Sequence, residues 1–234
     1  MNRSVGSWRL AAFAAGFVAV WLAVFSPIAH FDHYLLTAHM AQHLLLMVVA
    51  VPLILLGARS VLVRWRPHPA FCWLAGSLTV LVWHVPAIFE LALRSHFWHG
   101  FEQASFFLAG IVFWWPVIRP EPSPCWFVPL YLFLATLPCD ALSAFLAFCD
   151  YIVYRPYLSG HGRFGLSPLE DQALAGALMW VTVTFVYLLP VLLLTAQLLS
   201  GERKLKPGLN APCASGENSW IRHGSTSFRT ENPT

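Results

Sequence analysis

Two of the ten histidines in this 234-residue chain stand four residues apart, in His39-Met40-Ala41-Gln42-His43. Side chains four apart on a helix lie one turn above another on the same face, so both imidazoles project together. Met47 continues that stripe and Met40 borders it, which places two imidazoles and up to two thioethers to meet one ion. Imidazole with soft thioether suits copper, Cu(I) above all, better than magnesium or calcium. The competing account is structural: the histidines hydrogen-bond to neighbouring helices and the methionines fill gaps.

Other chemistry-bearing residues fall at a similar depth. With a rise of ~1.5 Å per residue, His43 lies roughly 12 Å, and His84 and Asp140 about 13 Å, below one end of their predicted helices, with Met179 near that level. A lone carboxylate such as Asp140 in hydrocarbon costs ~2.5–3.5 kcal/mol and wants a partner, a proton or an ion. His84 stands in Trp83-His84-Val85-Pro86, where the proline lacks an N–H, predicts a kink and leaves the Val82 carbonyl without its helical donor. Nearer the end of the layer, His99, Glu102 and Gln103 share a face at the start of the fourth predicted helix, close to His96. Glu170 reads as a helix cap. Its neighbours Asp171 and Gln172 are placed to steady a histidine or to accept a transferred ion. His30 and His33 form a weak capture site in the first loop.

The elements that position these groups are membrane helices. The chain is 58% hydrophobic and 11% charged, against roughly 45–50% and 25% in soluble domains. A spanning helix needs ~20 apolar residues, and six runs qualify: Leu10 to Ala29, Leu35 to Gly57, Ala70 to Leu93, Gly100 to Ile118, Trp126 to Cys149, and Asp171 to Leu199. The fold class is therefore all-α, a polytopic membrane bundle over residues 1–200. With the N-terminus inside, eleven of the fourteen lysines and arginines fall on the cytoplasmic side, leaving Arg94, Arg155 and Arg163 outside. That bias predicts cytoplasmic termini. It also puts His30, His33, His39, His43, His84, His96, His99 and His161 at or near the outer face, with only His68 and His223 elsewhere. The first run reads as a retained helix rather than a cleaved signal. Residues 201–234 read as a disordered tail whose basic start suits anionic headgroups.

A net charge of +3 in such a chain gives no reason to expect nucleic acid. The five cysteines form no CxxC pair, so neither a disulfide framework nor a zinc knuckle is indicated. An activated nucleophile or acid/base pair with a substrate pocket is not visible, which argues against an enzyme. A different class stays open, a membrane cytochrome with His43 and His84 as axial haem ligands. So does a scaffold that grips its partner through aromatic helices.

Several segments carry a family resemblance: His39-Met40-x-x-His43 with Pro52-Leu53 and Gly57, Trp83-His84-x-Pro86, Phe113-Trp114-Trp115-Pro116, and Pro168-Leu169-x-Asp171-Gln172 with Gly176 and Met179-Trp180. Over roughly residues 35 to 195 the chain resembles the CtaG family, assembly factors for caa(3)-type cytochrome c oxidase. The resemblance implies a multi-pass protein of the bacterial inner membrane that serves oxidase maturation by delivering copper. It also implies a histidine where this chain has Gln103, and in many members a seventh span that is not found here. The expectation is a non-enzymatic factor with His39, His43 and His84 as copper ligands and Met40 or Met47 as soft auxiliaries. Asp140 and Asp171 are expected to act as outer or transfer groups, and His99 and Glu102 to sit at the mouth. Expected partners are cytochrome c oxidase subunits and membrane lipid, with a periplasmic copper chaperone and a second copy of the chain as further candidates.

Overall fold

Backbone amides have no water to bond to in hydrocarbon, and a helix satisfies them within its own segment. The apolar runs fold accordingly. A computed structural model describes residues 3–59, 65, 67–119, 126–160 and 165–199, and every regular element among them is helical. We number them α1 (Arg3–Phe25), α2 (Leu36–Ala58), α3 (Pro69–Trp83), α4 (Pro86–Arg94), α5 (His96–Ile118), α6 (Phe127–Phe148) and α7 (Pro168–Ala196, with helical backbone continuing to Leu199). Five of these, α1, α2, α5, α6 and α7, are long and apolar enough to cross a membrane, and the bent pair α3–α4, counted as one broken span, would make a sixth. The expected tail over 201–234, His161 and His223 lie outside the described residues.

The third expected run does not merely kink. It breaks, and α3 and α4 meet at 76°. The residue before a proline is pushed out of the helical region. Val85, before Pro86, accordingly has extended backbone (φ −65°, ψ 123°), and His84 ends α3. The Val82 carbonyl, expected to lack a donor, accepts the Val85 N–H at 3.2 Å in a tighter turn. The tighter turn thus gives the Val82 carbonyl a donor in place of the one that Pro86 lacks.

Prolines also explain the two wide turns in the bundle. Leu45–Ala50 in α2 and Thr184–Leu188 in α7 are π-helical, and Pro52 and Pro190 follow them. In α2 the Val51 N–H reaches back to the Leu46 carbonyl. The Met47 carbonyl then loses its usual donor to Leu46, and the next residue that could serve, Pro52, has no N–H. Trp114 of α5 fills the gap, its indole N–H donating to Met47 O at 3.0 Å.

The helix starts follow local chemistry. Ser95 caps α5 by accepting the Trp98 N–H at 3.3 Å, so α5 begins at His96 rather than Gly100. Ser167 and Glu170 form a reciprocal capping box on α7, with Ser167 N–H to Glu170 Oε2 at 2.7 Å. That is the role expected of Glu170. Glycines set the closest helix contacts: a Cβ on Gly176 of α7 would lie 2.7 Å from both Ala147 N and Ser143 O of α6. On the opposite flank, a Cβ on Gly57 would lie 2.7 Å from the Arg9 carbonyl of α1.

Two apolar clusters form the interior. One gathers Met47, Val51, Phe106, Phe113, Trp114, Tyr131 and Tyr187, and the other Leu36, Met40, Phe89, Leu146, Tyr154, Tyr157 and Met179. Polar side chains buried at the end of the bundle where α2, α5 and α7 begin include His39, Gln42, His43, His99, Glu102, Asp171 and Gln172.

Candidate metal centre

The N-cap residue of α2, Leu35, has no side-chain acceptor for the first free amides of its helix. Asp171 of α7 supplies it. Its Oδ2 accepts the Leu36 N–H at 2.6 Å, and its Oδ1 accepts both the Thr37 N–H at 3.1 Å and the Thr37 hydroxyl at 2.6 Å. A carboxylate at a helix N-terminus also meets the positive end of the helix dipole. Asp171, expected as a transfer group, thus has both oxygens engaged in fixing the helix that carries His39 and His43. Gln172 beside it binds the loop after α6, accepting the Val153 N–H at 2.8 Å and donating to Tyr151 O at 3.1 Å.

One turn into α2, His39 and His43 turn their Nε2 atoms to within 2.8 Å of each other. Glu102 of α5 completes a triangle, its Oε1 lying 3.3 Å from His39 Nε2 and 3.2 Å from His43 Nε2. His39 and Glu102 are fully buried and His43 nearly so. Donors on a tetrahedral ion with bonds of ~2.05 Å lie about 3.3 Å apart, so two edges of the triangle have that span and the third is shorter. The rings are braced by aromatic neighbours, His43 stacked on Phe106 at 4.0 Å and His39 against Phe89 at 4.8 Å.

His84, at the end of α3, places Nδ1 2.7 Å from the Val80 carbonyl. A proton on Nδ1 is what that bond requires, leaving Nε2 with its lone pair. Nε2 is buried and has no hydrogen-bond partner. The ring interacts electrostatically with His39, His43 and Glu102. Its backbone is held from the other side, where the Tyr154 hydroxyl donates to His84 O at 2.9 Å. A hydrogen-bonded Nδ1–H with a bare Nε2 is the arrangement that orients metal-ligating histidines.

Above the triangle lies a residue that sequence reasoning missed. Asp32, in the loop between α1 and α2, is 2% exposed, and its Oδ2 is 2.9 Å from His99 Nε2. Burial pushes its carboxyl pKa up, but the hydrogen bond and charge of His99, with His33 and His39 adding, outweigh burial and hold it below the usual value. Tyr157 fixes the loop, donating its hydroxyl to Asp32 O at 2.7 Å. A signal was present: Asp32 is the first acidic residue in the chain and stands between His30 and His33. Gln103 sits beside this pair, its amide nitrogen 2.7 Å from His99 Nε2 and 3.5 Å from Gln42 Oε1. It lies against the ring of His99 where the resemblance implied a further imidazole.

The remaining expected groups are elsewhere. Met40 packs with Leu36, Phe89 and Met179, and Met47 with the Phe113–Trp114 cluster. Asp140 is half-buried on α6, its Oδ1 without a hydrogen-bond partner. Among the described residues, the histidine and acid groups close enough to share an ion are His39, His43 and Glu102, and Asp32, His39 and His99.

A bundle of apolar helices with imidazoles and carboxylates buried at one end defines a multi-pass membrane protein with a candidate metal centre. The chain belongs to the Caa3_CtaG family, cytochrome c oxidase caa3 assembly factors, whose model matches residues 1–200. It is also similar to an uncharacterised protein of Mycobacterium leprae, 24% identical over 84% of this chain and 35% of the relative. Uncharacterised proteins of Mycobacterium bovis and Mycobacterium tuberculosis are 24% identical over 88% of the chain and 36% of theirs. The chain thus spans about a third of the length of the curated relatives it matches. No solved structure matches it.

Proposed function

We propose that this oxidase assembly factor works without catalysis, holding a copper ion at the His39–His43–Glu102 triangle and yielding it to the copper site of a cytochrome c oxidase subunit. In this reading the protein sits in the bacterial inner membrane with the triangle towards the periplasm. The observation that carries it is three buried ligand atoms, from two helices, within 3.3 Å of one another. Buried carboxylate and imidazole are costly unless paired or bound to an ion. Copper heads the affinity order of the divalent metals for nitrogen and oxygen donors, and imidazole suits it. With the methionines packed elsewhere, the donor set fits Cu(II) at least as well as Cu(I). Three protein donors leave a coordination position open, through which an acceptor's ligand can begin exchange. His84, with its bare and buried Nε2, is a candidate for a fourth.

Haem is the weaker reading. His43 Nε2 faces His39 and Glu102 rather than an opposing imidazole across a porphyrin-wide slot. A groove of about 530 Å³ against α6 and α7 is lined by Phe148, Leu174 and Trp180 among others, and by no histidine.

The test is metal content by mass spectrometry of the full chain purified in detergent, beside an absorbance spectrum. Near-stoichiometric copper that vanishes in the His39→Ala/His43→Ala double variant is the expected result. Equal metal in both proteins, or a Soret band in place of copper, would falsify the proposal.

A further inference from the structure

We infer that the protein carries a second cation site, formed by Asp32, His39 and His99, that loads the inner triangle by ligand exchange at His39. This rests on the reading of the triangle as a copper site. Each of the three residues offers a ligand atom within 4.8 Å of the others, and His39 is a member of both groups. Asp32 Oδ1 is buried with no hydrogen-bond partner, so the group has an unused donor. Glu102 also spans the two sites: Oε1 belongs to the triangle, and Oε2 lies 3.5 Å from His99 Nδ1.

The outer group is the one in touch with the surface. The half-exposed His33 places Nε2 3.7 Å from Asp32 Oδ1, and its ring centre is 5.7 Å from that of His99 and 6.3 Å from that of His96. His39 and Glu102 are fully buried, and the rings of His39 and His43 pack against Phe89 and Phe106. An ion arriving past the exposed His33 therefore meets its neighbours Asp32 and His99 first. It moves inward as bonds to His43 and Glu102 form and those to Asp32 and His99 break, with His39 the residue common to both sets. No electron is transferred, and each bond made replaces one lost. Both sets offer two imidazoles and one carboxylate, so the direction of transfer rests on spacing: the inner three atoms lie within 3.3 Å of one another, the separation of donors on one tetrahedral ion.

The experiment follows Cu(II), supplied as its weak glycine complex, by stopped-flow tryptophan quenching in the detergent-solubilised full chain. Release is followed by competition with excess EDTA. Asp32→Asn, and independently His99→Gln, are expected to slow uptake and release alike by about tenfold or more, as removal of a stepping site raises one barrier crossed in both directions. Unchanged uptake in both variants overturns the inference. So does faster release with unchanged uptake, the signature of one pooled site. His43→Ala separates the parent reading: normal retention of copper in that variant, with slow uptake in Asp32→Asn, would defeat the triangle and leave the outer site standing. A wild-type chain that takes up no Cu(II) defeats both.

Discussion

Glu102 is the residue on which the geometry converges, since its carboxylate faces His39 and His43 through one oxygen and His99 through the other. Glu102→Gln keeps the shape and removes the charge. It should weaken copper binding by at least ~10-fold, read by competition with a chelator, because a neutral amide is a poorer ligand and leaves two imidazoles to hold the ion. The pairing of His39 with His43 was legible from spacing alone. Met47 was not, for a reason in the backbone. Four residues return a side chain to the same face only in a continuous α-helix, and the π turn at Leu45–Ala50 rotates Met47 off the stripe. Met40, one residue past His39, points ~100° away and joins the cluster around Phe89. Asp32 escaped notice because a loop residue's place is set by distant contacts, here the Tyr157 hydroxyl.

Among the elements, α2 depends on α7 for its start. Asp171→Ala leaves the amides of Leu36 and Thr37 without their acceptor and should cost about 0.5–2 kcal/mol. Thermal unfolding in detergent measures that loss. Copper affinity should fall with it, since His39 is only a few residues along the same helix. Were Asp171 instead a direct transfer ligand, binding would change with no fall in melting temperature. This dependence of one helix on another could not be read from the chain, because Asp171 and Thr37 are 134 residues apart and the local pattern around Asp171 resembles its own helix's cap. The five long spans were legible because apolar length is a local property. The severity of the break at Pro86 was not, since a proline fixes that a helix is interrupted but not the direction in which the next one leaves.

For the molecule as a whole, the tight joint between α6 and α7 is the part most sensitive to added volume. Gly176→Ala places its methyl against the backbone at Ala147 and Ser143, which cannot move without separating the two helices. We expect a loss of about 1–3 kcal/mol, seen as a lower melting temperature. The same joint holds the loop whose Tyr154 and Tyr157 anchor His84 and Asp32, so the metal-bound form should gain less protection against heat in the variant than in the wild type. The bend after α3 has a consequence for the lipid itself. At 15 residues α3 is ~22 Å long, against a hydrocarbon thickness of ~30 Å. The continuation through α4 turns aside, with Glu90 and Arg94 among its polar residues. A span shorter than the hydrocarbon is met by local thinning of the bilayer, which would bring the water boundary at that end nearer the buried imidazoles.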